Sequence, residues 1–235
     1  MATPEPKPTK LLLAAVINGR SEATLMFAAS MLRLQTDILL NSSLLLQCDV
    51  AFLDCLDDAL NAALQGGHDA VVAIDSFVTF PATFVTRFLN SGLDLVAAPH
   101  PVAGVMDWDR IAKRPLGDAE AVEFSGNVYA PAPPQRLLRD DLWVCGKDLV
   151  GTKKLMCVGI RRKAIETAAA VAPEVENGRK AICIPRVTGS KRRLSADEVF
   201  LDTCGADLVL DLASPVGIMG PIAFHGRVID KESIR

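Results

Sequence analysis

Chemistry in this chain would start from a few polar residues set at the ends of apolar runs. The stretch from His68 to Leu89 carries an apolar run into one carboxylate, Asp75, followed by Ser76 and then by Phe77 in place of a second acid. An acid at a strand end lies where ligands of parallel sheets bind, and it can equally cap the turn at Phe80-Pro81. Asn18 and Arg20 follow the first apolar run, Leu11 to Ile17, in the same relation to a sheet. Ser195-Ala-Asp-Glu198 has the spacing of a capping box, so Glu198 is expected to reach back to the backbone of Ser195. Asp197 and Glu198 suit the positive end of a helix, and a carboxylate there can also accept the proton of a hydroxyl group. His225 lies in a glycine-rich loop, open to a ligand role or to none.

The elements that must position these residues alternate. Residues 1–10, with three prolines, read as a flexible tail. Leu11 to Ile17 reads as a strand covered on both faces, and Ser21 can cap a helix from Thr24 to Leu34. A short strand is expected at Ile38 to Leu40. After Asp49 as a cap, Phe52, Leu53, Leu56, Leu60 and Leu64 recur at helical spacing until Gly66-Gly67. Strands at Ala70 to Ile74 and Asp94 to Ala98 flank a helix from Phe80-Pro81 to about Asn90. This alternation predicts a parallel sheet with right-handed crossovers. Residues 102–150 predict long loops and short antiparallel strands such as Ala121 to Phe124. Beyond them come a strand at Lys154 to Ile160, a helix from Arg162 to Val171, a strand at Ala181 to Val187, and an apolar run from Leu208 to Leu212.

Composition removes several classes of function. Half of the 235 residues are hydrophobic and 23% are charged, which favours a folded globule over disorder. A net charge of −3 lacks the basic footprint of a nonspecific nucleic-acid binder. The one basic run, Lys191-Arg192-Arg193, reads as a solvated loop or as a clamp on an anionic substrate. Six cysteines without Cys-x-x-Cys spacing read as buried thiols of a reducing compartment, which points to the cytoplasm. No apolar run approaches the length of a membrane span, and Leu11 to Ile17 is too short and too poorly flanked for a signal peptide.

Several strings, taken in order, resemble GT-A glycosyltransferases. VVAIDSFVTFPATFVTRFLNSGLDLVAAPHP resembles the segment in which those enzymes write a strand, an Asp-x-Asp motif, a Phe-Pro helix start and a further strand. VMDWDRI, with Trp108, follows as a similar string does in glycosyltransferase-like proteins of phages and large DNA viruses. GTKKLMCVGIRRKAIETA looks like their acceptor-side strand, and LSADEVFLDTCGADLVLD with FHG looks like the late acidic helix and the closing His-Gly. The resemblance covers about Leu11 to Gly226. It implies an α/β, Rossmann-like fold: a mostly parallel twisted sheet with helices on both faces and a mixed acceptor half. The divisions are 11–101 for nucleotide binding and 102–235 for the acceptor, within one domain.

The implied activity moves a sugar from a nucleoside diphosphate sugar to a hydroxyl of a glycan or protein, with no nucleic acid as partner. Asn18, Arg20, Asp75 and Ser76 would bind the donor, and Asp197 or Glu198 would act as base. Asp75 and His225 would hold Mn²⁺ or Mg²⁺, hard cations that prefer carboxylate oxygens and neutralise a leaving diphosphate. The motif is degenerate, because Phe77 replaces its second acid. Three readings stay open: a metal completed by water and phosphate, a metal-independent site using Arg20, Lys153 or Lys154, and a catalytically inactive binding or structural protein such as a virion component. A nucleotidyltransferase is a further rival, but Val16-Ile-Asn-Gly-Arg20 lacks its glycine-rich loop.

Overall fold

Apolar runs with no polar face need cover on both sides, and the computed structural model supplies it. It describes residues 9–17, 28–34, 42–75, 78–79, 82–106, 127–130, 134–145, 155–187, 189, 193–214, 216–219 and 223–224. In chain order the elements are β1 (Leu11–Ile17), β2 (Ser42–Cys48), α1 (Phe52–Gly66), β3 (Ala70–Ile74), β4 (Val78–Thr79), α2 (Thr83–Ser91), β5 (Leu95–Ala97), β6 (His100–Met106), β7 (Asn127–Ala130) and β8 (Pro134–Arg139). They continue with β9 (Leu142–Cys145), β10 (Cys157–Arg161), α3 (Arg162–Val171), β11 (Arg186–Val187), β12 (Arg193–Leu194), α4 (Ala196–Thr203), β13 (Val209–Asp211), β14 (Gly217–Met219) and β15 (Ala223–Phe224). Residues 28–32 are also helical.

The main sheet has eight strands in the order β2-β1-β3-β10-β5-β13-β9-β8. Strands β2, β1, β3, β5, β13 and β8 run one way, while β10 and β9 run against them. The alternation along β1 sends Leu12, Ala14 and Val16 into a core with Leu56 and Leu60 of α1, Ile165 of α3 and Phe200 of α4. Leu11, Leu13 and Ala15 face the other way, against Phe84, Val85 and Phe88 of α2. The fold is therefore α/β, a mostly parallel mixed sheet with helices on both faces. Among the described residues no helix is long and apolar enough to cross a membrane.

The amino-terminal alternation is largely as the sequence predicts, with informative departures. The strand expected at Ile38 to Leu40 falls outside the described residues, while a strand lies at Ser42–Cys48 beside β1. It is an edge strand on which Leu44 and Leu46 remain exposed, so burial did not mark it. Asp49 is not the cap of α1; it has φ 55°, and Ala51 takes the N-cap position without a side-chain bond. At the other end Gly67 adopts φ 66° and its N–H donates to the Ala63 carbonyl, as a glycine C-cap requires. Lys10 Nζ adds a bond to the Gly66 carbonyl at 2.6 Å, and Arg162 Nη1 one to the Ala63 carbonyl at 3.4 Å, so cations meet the negative end of the helix. Residues 121–124 lie outside the described residues.

Candidate functional site at the carboxyl edge of the sheet

Strands β1, β3, β5 and β13 bring their carboxyl ends to one edge. Helix α1 starts from that edge after β2, and α4 leads into β13. Asp75 follows β3. Its N–H donates to the Met156 carbonyl at 2.7 Å, and the Val78 N–H donates to the Asp75 carbonyl at 3.1 Å. The chain therefore turns immediately after the carboxylate. Asp75 is 4% exposed and lies near the first turn of α1, where burial first, and then the charges of Asp58 and Asp75, push the Cys55 thiol up to about 11. His100, which opens β6 just beyond the end of β5, is buried as well.

After the turn, β4 pairs with β14, and β14 pairs with β15. Val78 opposes Ile218, which opposes Phe224 on its other side. The Val216 N–H also donates to the Pro99 carbonyl at 2.9 Å, which fixes this small sheet to the end of β5. The segment that follows Asp75 and the segment that precedes His225 thus share one three-stranded sheet.

Asp197 and Glu198 form the capping box that their spacing predicts. The Ser195 N–H donates to Glu198 Oε2 at 2.8 Å, and the Glu198 N–H to Asp197 Oδ1 at 3.1 Å. The Ser195 hydroxyl lies 2.6 Å from Asp197 Oδ1 and 2.6 Å from Glu198 Oε2, one proton between two carboxylates. Asp197 is 2% exposed and Glu198 is half-buried, so Glu198 is the more accessible of the two. Both acids have a complete structural occupation at the helix start.

Sequence reasoning missed a buried network beside these residues. Asp57 Oδ1 on α1 accepts the N–H groups of Ile182 at 2.8 Å and Cys183 at 2.7 Å. One turn on, Asn61 accepts the Lys180 N–H at 2.8 Å and donates to its carbonyl at 2.9 Å. Arg179 pairs with Asp57 at 3.4 Å and also with Asp58. The cue was present: Asp57 and Asn61 sit four residues apart among the buried positions of an amphipathic helix. Burial raises the Asp57 carboxyl above its usual value, against the lowering effect of its backbone hydrogen bonds and Arg179. Burial also raises the Cys183 thiol, helped by the charges of Asp57 and Asp197. Helix α1 thus lies beside Asp75, and Cys183, which it holds through Asp57, lies near Asp197. This anchoring also explains why Ala181 to Val187 is not one strand: 182–183 form a turn, and only Arg186–Val187 pair.

A second pair the sequence did not disclose is Arg87 with Asp211. Arg87 Nε and Nη2 each lie 2.8 Å from a carboxylate oxygen of Asp211, which is fully buried, and Nη2 also donates to the Asp140 carbonyl. This fork ties α2 to β13 and to the β8–β9 turn.

Of the residues singled out from sequence, Asp75, Asp197 and Glu198 are described, whereas Asn18, Arg20, Ser76, Phe77, Trp108, Lys153, Lys154 and His225 lie outside the described residues. Among the described residues, no three His, Cys, Asp or Glu side chains are grouped so as to hold a metal ion.

No family model and no curated protein matches the chain. Among solved structures, A197 from STIV is similar at 12% identity, covering 90% of this chain and 86% of that one, with a TM-score of 0.45. A protein assigned as a nucleotide-diphospho-sugar transferase from Desulfovibrio desulfuricans G20 is similar at 10% identity, covering 86% and 79%, with a TM-score of 0.39. An apo UDP-glucose pyrophosphorylase follows at 9% identity, covering 86% and 72%, with a TM-score of 0.38.

Proposed function

We propose that the protein is a glycosyltransferase that moves a sugar from a nucleoside diphosphate sugar to a hydroxyl acceptor at the carboxyl edge of its sheet. The observation that carries this reading is the β4–β14–β15 sheet. It brings the chain after Asp75 and the chain before His225 into one ladder beside the strand ends, as a donor site built from both would need. In this reading Asn18, Arg20, Asp75 and Ser76 bind the donor. Glu198, with Asp197 behind it, accepts the proton of the acceptor hydroxyl.

A divalent cation fits the described residues poorly. Asp75 alone offers one carboxylate, Phe77 stands two residues on, and no group of three ligating side chains occurs among the described residues. No step is therefore derived through a metal; Mn²⁺ or Mg²⁺ held with His225 is left to the test. The second reading is a binding or structural protein on the same fold. Phe77 and the structural occupation of both Asp197 and Glu198 favour it.

Calorimetric titration with UDP-, GDP- and CDP-linked sugars, each with and without Mn²⁺, tests the proposal. Binding of one donor, lost in Asp75→Asn with the melting temperature unchanged, is the expected result. A well-folded protein that binds none of them refutes the transferase reading. Donor binding without turnover on any acceptor leaves the second reading.

A further inference from the structure

We infer that Asn177 is a site of spontaneous covalent modification, conversion to aspartate and isoaspartate through a cyclic imide, and that the opening of one hairpin turn sets its rate. The inference is independent of the transferase reading. Asn177 precedes Gly178, which has no β-carbon to shield its amide nitrogen from the side chain before it. The Gly178 nitrogen attacks Asn177 Cγ, the Cγ–Nδ2 bond breaks, and ammonia leaves with the amide proton. Water then opens the imide. Opening at the backbone carbonyl leaves isoaspartate, with the chain running through Cγ, and opening at the side-chain carbonyl leaves aspartate. Water is the one co-reactant. Glu176, Asn177 and Gly178 are all exposed, and a Cβ on Gly178 would meet nothing within 4 Å, so water reaches the turn.

The same turn holds the reaction back. Asn177 has φ 62° and ψ 28°, and Gly178 has φ 72°, the paired left-handed residues of a tight hairpin turn. At that ψ the Gly178 nitrogen lies almost opposite Cβ across the Cα–C bond, so the ring closes only after the turn opens. The Arg179 N–H donates to the Glu176 carbonyl at 3.4 Å, and the Val175 N–H donates to the Arg179 carbonyl at 2.9 Å. Two such bonds of ordinary net strength keep the open form to about one part in 30.

The returning arm of this hairpin is fixed to α1. Asn61 bonds both backbone groups of Lys180, and Arg179 pairs with Asp57 and Asp58. Lys180 also pairs with Glu174 at 3.0 Å across the hairpin. Isoaspartate adds a methylene to the backbone at the tip, which the paired left-handed geometry does not accommodate. The new carboxylate stands beside Glu176 and adds one negative charge to a net charge of −3. Conversion therefore loosens the arm through which Arg179 and Lys180 meet α1.

The test incubates the full chain in mildly alkaline buffer, folded and unfolded in urea, and follows each peptide by mass spectrometry, with isoaspartate methyltransferase reporting the rearranged product. Peptide mapping separates Asn177 from the other Asn-Gly pair, Asn18-Gly19. Asn177 should convert in the folded protein about 30-fold more slowly than in the unfolded chain. Arg179→Gln, checked for folding by circular dichroism, should speed the folded rate about two- to fivefold and leave the unfolded rate unchanged. Asn177→Gly, which keeps the left-handed turn, should abolish both the conversion of this peptide and the added charge it brings on ion exchange. Equal rates in the folded and unfolded chains, no conversion of Asn177 in the folded protein over many unfolded half-times, or an unchanged folded rate in Arg179→Gln overturns the proposal.

Discussion

Replacing Asp57 by alanine tests the network that supports both the candidate site and the hairpin. The substitution removes the acceptor of two buried amides, those of Ile182 and Cys183, and the partner of Arg179. A buried donor left without an acceptor costs about 1–3 kcal/mol, so the two together cost roughly 2–6 kcal/mol. That is a large part of the roughly 5–15 kcal/mol by which a domain of this kind is stable. Asp57→Asn keeps an oxygen for the amides and loses only the charge, so it should retain most of that stability. Urea denaturation of both variants, with amide exchange followed at Ile182 and Cys183, reads the difference. Equal stability of the two variants, or unchanged exchange at both amides in Asp57→Ala, would refute the claim that this carboxylate anchors residues 179–183. Because the folded-state value of Asp57 is raised, the folded protein holds the proton where the unfolded chain has lost it, so this group's contribution falls as pH rises from about 3.8. In Asp57→Asn that part of the slope should be absent.

Glu198→Gln keeps the capping box, since glutamine serves at this position as well as glutamate, yet cannot take a proton. Turnover should fall by about 10²–10⁴-fold at an unchanged melting temperature if Glu198 is the base, and an active variant would exclude that role. Gly159→Ala places a Cβ 2.5 to 2.7 Å from three ring carbons of buried Phe88 and should cost about 1–3 kcal/mol in chemical denaturation; a change under about 0.5 kcal/mol would show that α2 shifts freely. Burial first, and then the charge of Lys10, lower the pKa of His68 below 6.5, so the unfolded chain takes up the proton more readily and stability is lost as pH falls below 6.5. His68→Leu should lose less between about pH 7.5 and about pH 5.5 than the parent protein, as read from urea midpoints.

Sequence reading succeeded where one local rule decides the outcome. The continuous apolar run of β1, the helical spacing in α1 and the four-residue pattern at Ser195 each carry their own physics, and each element forms where expected. It failed where the deciding partner is distant. Asp211 meets Arg87 across 124 positions, and Asp57 turns Ile182 and Cys183 away from a strand across 125 and 126. Strand direction is equally nonlocal: Cys-Val-Gly-Ile-Arg reads as a buried strand, but nothing within it says that it runs against its neighbours. Of the candidate site, the acids were visible as residues at element ends. Their hydrogen-bond partners were visible only at Ser195, where the partner is three positions away.

Strand β10 sits between β3 and β5, antiparallel to both. A ribosome that has released only the first hundred residues has therefore made β5 with no neighbour to receive it, and β3 with one bare edge. The sheet closes only after Cys157–Arg161 emerges and is threaded between strands made long before. Such late, long-range closure slows folding and leaves unpaired edges exposed during synthesis. A fragment ending near residue 101 should accordingly aggregate rather than fold as a nucleotide-binding module, and a chain interrupted there should recover only when its second part is supplied.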